Sequence, residues 1–211
     1  MIKIENVSVF NLENAIRGMR NPLKSWAKID SKYDEEGNYI LGPNDLGLAT
    51  RLVDGGEPHR KFMRQIFVSV DITAPMYWWS QFDTYKVGTT ANSTSKMHKL
   101  ASEEIVASDF SFDGCVPEAE DACKETIRVC NALREKYNET KDKRYWDTLI
   151  KFLPESYNQT RTVTMDYENL ANMHKWRKNH KLDEWKKFCA WSETLPYAKE
   201  FIIGKEEEIT K

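Results

Sequence analysis

The sequence predicts an α+β fold, and three observations carry that prediction. The opening IKIENVSVF and the later run from Phe62 to Ile72 place apolar residues at alternate positions, as half-buried strands do. Between and after them, apolar residues recur at helical spacing. The order of these segments lacks the strand–helix–strand rhythm of a doubly wound sheet. At 211 residues the chain fits one large domain, 1–211. A chain of that size buries about 70% of its unfolded surface and needs no staples.

Each element has its own signal. In the first strand Ile2, Ile4, Val7 and Val9 break period two once, which predicts a bulge or turn near Glu5. Residues 11–19 read as a short helix with Asn11 as N-cap. Residues 29–45 are rich in Gly, Asp, Asn and Pro, and read as a hairpin or surface loop turning at Glu36-Gly37-Asn38. Asp45 is placed to cap a helix through Leu46, Leu48, Ala49, Leu52 and Val53, which Gly55-Gly56 ends. Phe62, Ile66, Val68, Val70 and Ile72 then share one strand face, with Arg64 the exception. Thr73 is the next N-cap, and Pro75 falls in a first helical turn, where proline is tolerated. The helix it opens carries Tyr77, Trp78, Phe82 and Tyr85 as one broad stripe, and Gly88 stops it. A hydroxyl-rich loop follows, and residues 101–117 are irregular. A helix covers 118–137, with Ala119, Ala122, Ile127, Cys130 and Leu133 on its apolar side. Residues 138–143 read as a charged hinge or helix break, and 146–152 resume an apolar run up to Leu153-Pro154. Residues 160–165 read as a short strand or extended segment. Asp166 caps a single long helix through Leu170, Met173, Phe188 and Trp191, ending near Leu195-Pro196. The polar tail, 204–211, is expected to fray.

Charge and cysteine usage narrow the function classes. Lys and Arg number 31 against 33 Asp and Glu, a net charge of −2. That balance supplies no field for non-specific nucleic-acid binding. The N-terminus lacks the continuous apolar core of a signal peptide. No stretch reaches the roughly 18 apolar residues of a membrane span. A cytoplasmic protein with no nucleic-acid or membrane partner is expected. Cys115, Cys123, Cys130 and Cys189 form no Cys-x-x-Cys pair and are expected as reduced thiols packed as small hydrophobes.

The residues alone offer little chemistry. No triad, His-Glu-x-x-His, Walker loop or Gly-x-Gly-x-x-Gly occurs. His174 and His180 are six apart, roughly 600° around a helix, so they do not share a face as metal ligands would, and no metal site is expected. His59 and His98 are isolated. Arg177 stands out, because it falls on the apolar side of the long helix between Met173 and His180. A guanidinium leaving an apolar stripe must find an anion. On composition alone, an internal carboxylate and a bound phosphate or polarised carbonyl meet that need equally well.

Three segments together resemble the flavin-dependent thymidylate synthases, the ThyX family. His59-Arg60-Lys61-Phe62 followed by a strand resembles the family's Glu-His-x-x-Phe element, with Pro58 where the family has glutamate. Ala74-Pro75 through Gln81 to Thr89 is similar, without a gap, to the stretch that ends in the family's Arg-His-Arg-x-x-Ser. From Leu153-Pro154 through Asn172 and Arg177 to Leu195-Pro196 the register holds again. Together the segments span well over half of the chain. The resemblance implies a ThyX-like α+β fold with a small, mostly antiparallel sheet, assembled as a homotetramer with FAD at subunit junctions. It implies reductive methylation of dUMP, or of a related pyrimidine nucleotide, with methylenetetrahydrofolate as carbon donor and NADPH as reductant. Carried over residue by residue, it makes Arg177 the group that binds and polarises the uracil ring. It makes His59, Lys86, Thr89 and Asn172 cofactor contacts. It makes Gln81, Thr84, Tyr85, Asn92, Thr94 and Lys151, with Arg177, substrate contacts.

The family's charged motif is replaced here. Thr84, Tyr85 and Lys86 occupy the Arg-His-Arg positions, and Thr89 replaces the serine. Ile150 stands at a second substrate arginine, with Lys151 beside it. Asp166-Tyr167-Glu168 takes the place of Asn-x-Arg. Arg60, Arg64 and Arg161 are candidates to restore the missing charge. Hydroxyls are weaker anion ligands than arginine, so weakened or altered nucleotide binding is expected. A non-catalytic flavin- or nucleotide-binding protein and a structural oligomer of the same fold are the alternatives to an enzyme.

Overall fold

The computed structural model describes residues 2–204; beyond Gly204, the tail expected to fray lies outside the described residues. In chain order the elements are β1 (Lys3–Phe10), α1 (Leu12–Gly18), β2 (Lys32–Tyr33), β3 (Tyr39–Ile40), α2 (Pro43–Asp54), β4 (Phe67–Pro75), α3 (Met76–Phe82) and β5 (Thr90–Ser93). They continue with α4 (Lys96–Lys99), α5 (Glu120–Thr140), α6 (Lys143–Phe152), β6 (Asn158–Asp166), α7 (Tyr167–Arg177) and α8 (Asp183–Ser192). The main sheet has strand order β1-β4-β6-β5, and β2 and β3 form a separate antiparallel ribbon. The fold is α+β with a small antiparallel sheet. No helix of the described residues is long and apolar enough to cross a membrane.

Most elements follow the sequence signals. Asn6 adopts φ 52° inside β1, where the broken alternation predicts a bulge. Within the 29–45 segment β2 and β3 form a hairpin whose turn Asp34 closes, accepting from the Asn38 backbone N–H at 2.7 Å, while Pro43–Asp45 already open α2. In β4 the alternation is clean: Val68, Val70, Ile72 and Ala74 are all fully buried.

The departures have physical reasons. Asp45 does not cap α2: the N-cap is Gly42, and Asp30 accepts from the Asn44 and Asp45 backbone N–H groups instead. Asp45 is fully buried and serves Arg20. Residues 61–65 form a tight 3-10 turn, so the strand begins only at Phe67. Thr73 stays in that strand, and α3 starts after Pro75 and ends at Phe82, well before Gly88. Tyr85 is therefore not on the aromatic helix. The single long helix is broken into α7 and α8 at the polar stretch Lys178-Asn179-His180-Lys181, which offers no apolar stripe to bury. A π-helical turn, Lys199–Ile203, follows the expected last element and buries Phe201 and Ile202.

Two compact units can be distinguished within the chain. The first comprises Met1–Glu5, Asp71–Thr84 and Ala91–Thr162. Its helices α5 and α6 pack together over Cys130, Leu149, Leu100, Ile105 and Phe110. Trp78, Trp79 and Phe82 of α3 form a buried trio with ring centroids 4.9–5.3 Å apart. Trp79 replaces Tyr77 in the buried stripe, because its indole N–H reaches the Gln159 carbonyl at 2.9 Å and Arg161 covers its ring at 4.2 Å. The second unit comprises Asn6–Val70, Tyr85–Thr90 and Val163–Lys211. There α7 packs on α8 and on the turns at 61–65 and 199–203.

The cysteines divide by burial. Burial pushes the Cys130 thiol up to about 11 and the Cys189 thiol up to about 12, so both pack as inert apolar groups. Cys115 is exposed and Cys123 half-buried, which corrects the expectation that all four are packed.

Candidate functional site

The segment at the replaced motif is strapped to α7 at both ends. A capping box opens α7: the Asn169 backbone N–H donates to Asp166 Oδ1 at 2.8 Å, and the Asp166 backbone N–H donates to Asn169 Oδ1 at 3.3 Å. Burial pushes the Asp166 carboxyl above its ordinary range, against the lowering effect of that backbone bond. Asn169 Nδ2 in turn donates to the Val87 carbonyl at 2.6 Å. Gly88 adopts φ 80°, and a Cβ there would stand 2.9 Å from Asn169 Oδ1 and from Asp166 Oδ2. Only glycine meets both demands without strain.

At the other end of α7, Arg177 Nε donates to the Tyr85 hydroxyl at 2.9 Å. The guanidinium lies 4.9 Å from the Trp185 ring centroid and 5.5 Å from that of Tyr85. The two rings stand edge to face at 6.0 Å. Arg177 is the last residue of α7, where a positive charge also complements the helix dipole. Burial, with the charges of Arg177 and Lys181, holds His180 below its ordinary value. The break after α7 thus turns the expected mid-helix arginine into a terminal one, held by aromatic faces.

Other predicted residues are distributed as follows. The Thr89 hydroxyl donates to the Tyr85 carbonyl at 2.8 Å. The Thr84 hydroxyl, in the other unit, donates to the Gln81 carbonyl at 2.7 Å. Both protons are committed to the backbone, so in this arrangement neither hydroxyl donates to an anion. Lys86, Asn92, Thr94 and Lys151 are exposed. The Thr94 backbone N–H donates to the Thr160 carbonyl at 2.9 Å, and its carbonyl accepts from Gln159 Nε2 at 2.8 Å. Arg60 is paired with Glu168 at 2.8 Å, and Arg161 with Asp83 at 2.8 Å. Arg64 is exposed.

His59 and Asn172 line two different cavities. His59 lies over Gly55, where a Cβ would stand 3.1 Å from the imidazole Cδ2. Its cavity, about 700 Å³ in volume, has an apolar wall of Leu48, Leu52 and Phe62 and includes Gln65. Lys28, Arg51 and Lys61 also line it, as does Arg20. Arg20 is 3% exposed, and its guanidinium meets Asp45 Oδ1 at 2.6 Å. Asp45 Oδ2 accepts from the backbone N–H groups of Asp30 and Ser31 and from the Ser31 hydroxyl at 2.6 Å. Asn172 lines the second cavity, about 320 Å³, with Arg60, His174, Lys175 and Lys178. His174 is 4% exposed, and its Nε2 stands 2.7 Å from Glu193 Oε1.

Sequence reasoning does not reach Trp185, Gln65 or the cations Lys28, Arg51 and Lys61. None belongs to a local motif, and only folding brings them to Arg177 or to His59. Among the described residues no group of three or more His, Cys, Asp or Glu is placed to hold a metal ion.

This arrangement of sheet and helices is the ThyX fold, an α+β architecture built around β1-β4-β6-β5. No family model and no curated protein matches the sequence. Among solved structures, the chain is similar to thymidylate synthase X (ThyX) of Helicobacter pylori, solved with FAD and dUMP. The identity is 17%, the TM-score 0.68, and the match covers 95% of this chain and 97% of that one. A second structure of that enzyme with FAD and dUMP gives a TM-score of 0.67 at 17% identity, over 97% and 99% of the two chains. The chain is also similar to PolB, a UMP/dUMP methylase of Streptomyces cacaoi bound with 5-Br dUMP. There the identity is 13%, the TM-score 0.61, and the coverage 97% and 98%. At such identities the likeness establishes the fold.

Proposed function

We propose that this protein is a flavin-dependent methylase of a pyrimidine nucleotide, dUMP or a close relative. One observation carries the reading: nearly the whole chain shares its fold with two different enzymes named for thymidylate synthesis and for UMP/dUMP methylation. The His59 cavity supports it. At about 700 Å³, with an apolar wall and cationic residues, it falls in the range of nucleotide and cofactor pockets. His59 and Gln65 would face a flavin held there; Lys86, Thr89 and Asn172 do not line that cavity and are the cofactor contacts proposed across a subunit junction. Bound FAD supplies hydride chemistry that no side chain of the chain offers.

Arg177 binds the uracil moiety and stabilises the negative charge that develops on its carbonyl oxygen. Tyr85 and Trp185 hold the guanidinium in place, so little reorganisation is needed when the nucleotide binds. Gln81, Thr84, Asn92, Thr94 and Lys151 are the further substrate contacts proposed. No cysteine acts as nucleophile, in keeping with the raised thiols of Cys130 and Cys189. Methylenetetrahydrofolate and NADPH are the co-substrates, and a cytoplasmic homotetramer is the working assembly. A non-catalytic nucleotide-binding protein is the second reading. It is favoured by the hydroxyl protons of Thr84 and Thr89, which are spent on the backbone.

The test is tritium release from C5-labelled dUMP with reduced flavin and methylenetetrahydrofolate present. Release that Arg177→Ala abolishes supports the methylase. Absence of release from wild-type protein that still binds FAD and dUMP selects the second reading.

A further inference from the structure

We propose that the phosphate grip of the replaced Arg-His-Arg element has moved, in this chain, to the His59 cavity, where Lys28, Arg51 and Lys61 hold the phosphates of a ring-bearing ligand. The ligand's ring rests on the flavin reading; its phosphates do not.

Two of the three arginines that sequence suggests as replacements, Arg60 and Arg161, are committed elsewhere; the third, Arg64, is exposed and lines neither this cavity nor the Asn172 cavity. Arg60 gives Nε and Nη2 to Glu168. Arg161 gives Nη1 to Asp83 and Nε to Gln159, and its face covers Trp79. By contrast, Lys28, Arg51 and Lys61 come from three separate elements, the turn Trp26–Lys28, α2 and the turn Lys61–Gln65. They meet around one concavity, and none of the three forms an ion pair among the described residues. The imidazole of His59 and the buried guanidinium of Arg20 add to the same wall. Arg20 Nη2 is buried against Asp45 yet lacks a well-aligned hydrogen-bond acceptor.

The decisive feature is what the wall omits. Among the described residues that line it there is no aspartate or glutamate, in a chain where acids outnumber bases by 33 to 31. Cations gathered without counter-charge repel one another, and a concave, partly apolar setting strengthens the field they share. A phosphate or pyrophosphate relieves that repulsion with charge-assisted hydrogen bonds, to which arginine's fork is suited. Leu48, Leu52 and Phe62 beside the cations accept an apolar ring. The chemical class that fits both halves is a nucleotide, or a flavin bearing phosphate.

The test compares wild-type protein with the variant Lys28→Gln/Arg51→Gln/Lys61→Gln. All three positions are exposed, so folding is expected to be unaffected, with circular dichroism as the check. Lys124→Gln/Arg128→Gln/Lys136→Gln on α5 removes the same charge elsewhere. Single Arg51→Gln should move the result in the same direction by less. FAD and riboflavin are titrated by flavin fluorescence, and inorganic pyrophosphate by thermal shift. Wild type and control should bind FAD about tenfold or more tightly than riboflavin, and the cavity variant should lose that preference while binding riboflavin within about twofold of wild type. Equal FAD affinity and equal preference in all three proteins would overturn the phosphate assignment and leave the flavin reading standing. If flavin binds to none, but pyrophosphate raises the melting temperature of wild type and control and not of the variant, the flavin reading fails and the phosphate site stands. Indifference of wild type to every probe overturns both.

Discussion

Tyr85 occupies the middle position of the replaced motif, and its hydroxyl now accepts from Arg177 Nε. A hydrogen bond to a charged donor contributes about 1.5–3 kcal/mol, the cation–π contacts about 0.5–1 kcal/mol more where exposed. Tyr85→Phe removes the first and keeps the ring. It should lower stability by about 1.5–3 kcal/mol in urea unfolding and weaken dUMP binding by a few-fold; unchanged affinity would mean Tyr85 does not position Arg177. A buried ion pair, Asp45 with Arg20, supports the wall of the His59 cavity. Asp45 loses solvation through burial, which favours its neutral form, but bonds from Ser31, Arg20 and the Asp30 and Ser31 backbone outweigh that and hold its carboxyl below the usual range. A lowered folded-state value contributes stability that is present above the unfolded aspartate value of about 3.9, and is lost as pH falls through the lower one. Asp45→Asn should therefore cost about 3–5 kcal/mol near neutrality, because it leaves Arg20 buried without its counter-charge. The cost should shrink under acid, which urea melts across pH would record.

At the scale of elements, much of the chain is legible because burial leaves a period. The alternation of Val68, Val70, Ile72 and Ala74 announces β4, and Asp166 announces the start of α7 through its capping bond. What escapes local reading is set by distant partners. Asp45 looks like a cap, yet Asp30 does that work and Arg20 claims Asp45. The aromatic stripe counts Tyr77 in place of Trp79, because the Gln159 carbonyl that satisfies the indole is 80 residues away in sequence. Gly88 reads as a helix stop, whereas its task is to let the Tyr85–Thr90 turn pass close to the α7 cap. Gly88→Ala should therefore destabilise by about 1–3 kcal/mol, read as a lower urea midpoint with an unchanged m-value. A neutral outcome would show that the turn relaxes away from Asn169. For the candidate site, sequence register points to Arg177, Tyr85 and His59, which the structure places at two separate positions, Arg177 with Tyr85 and His59 in its own cavity. It is blind to Trp185 and to the cavity cations, which share no motif.

At the scale of the whole molecule, the fold is retained at 13–17% identity over nearly the full length of the similar structures. Binary patterning explains this economically: buried positions need only apolar residues of about the right volume. Site residues carry no such tolerance, and Thr84, Tyr85 and Lys86 stand where the sequence resemblance expects Arg-His-Arg. Within this ThyX fold Arg177 is clasped by Tyr85 and Trp185, and the proposed function makes it the group that reads the pyrimidine nucleotide. Calorimetric titration of dUMP into wild-type protein and into Arg177→Ala tests that claim most directly. The account predicts saturable binding to wild type and a loss of about a hundredfold or more in a variant that keeps its circular dichroism and oligomeric state. Equal dUMP affinity in the two proteins, or none in either, would contradict it.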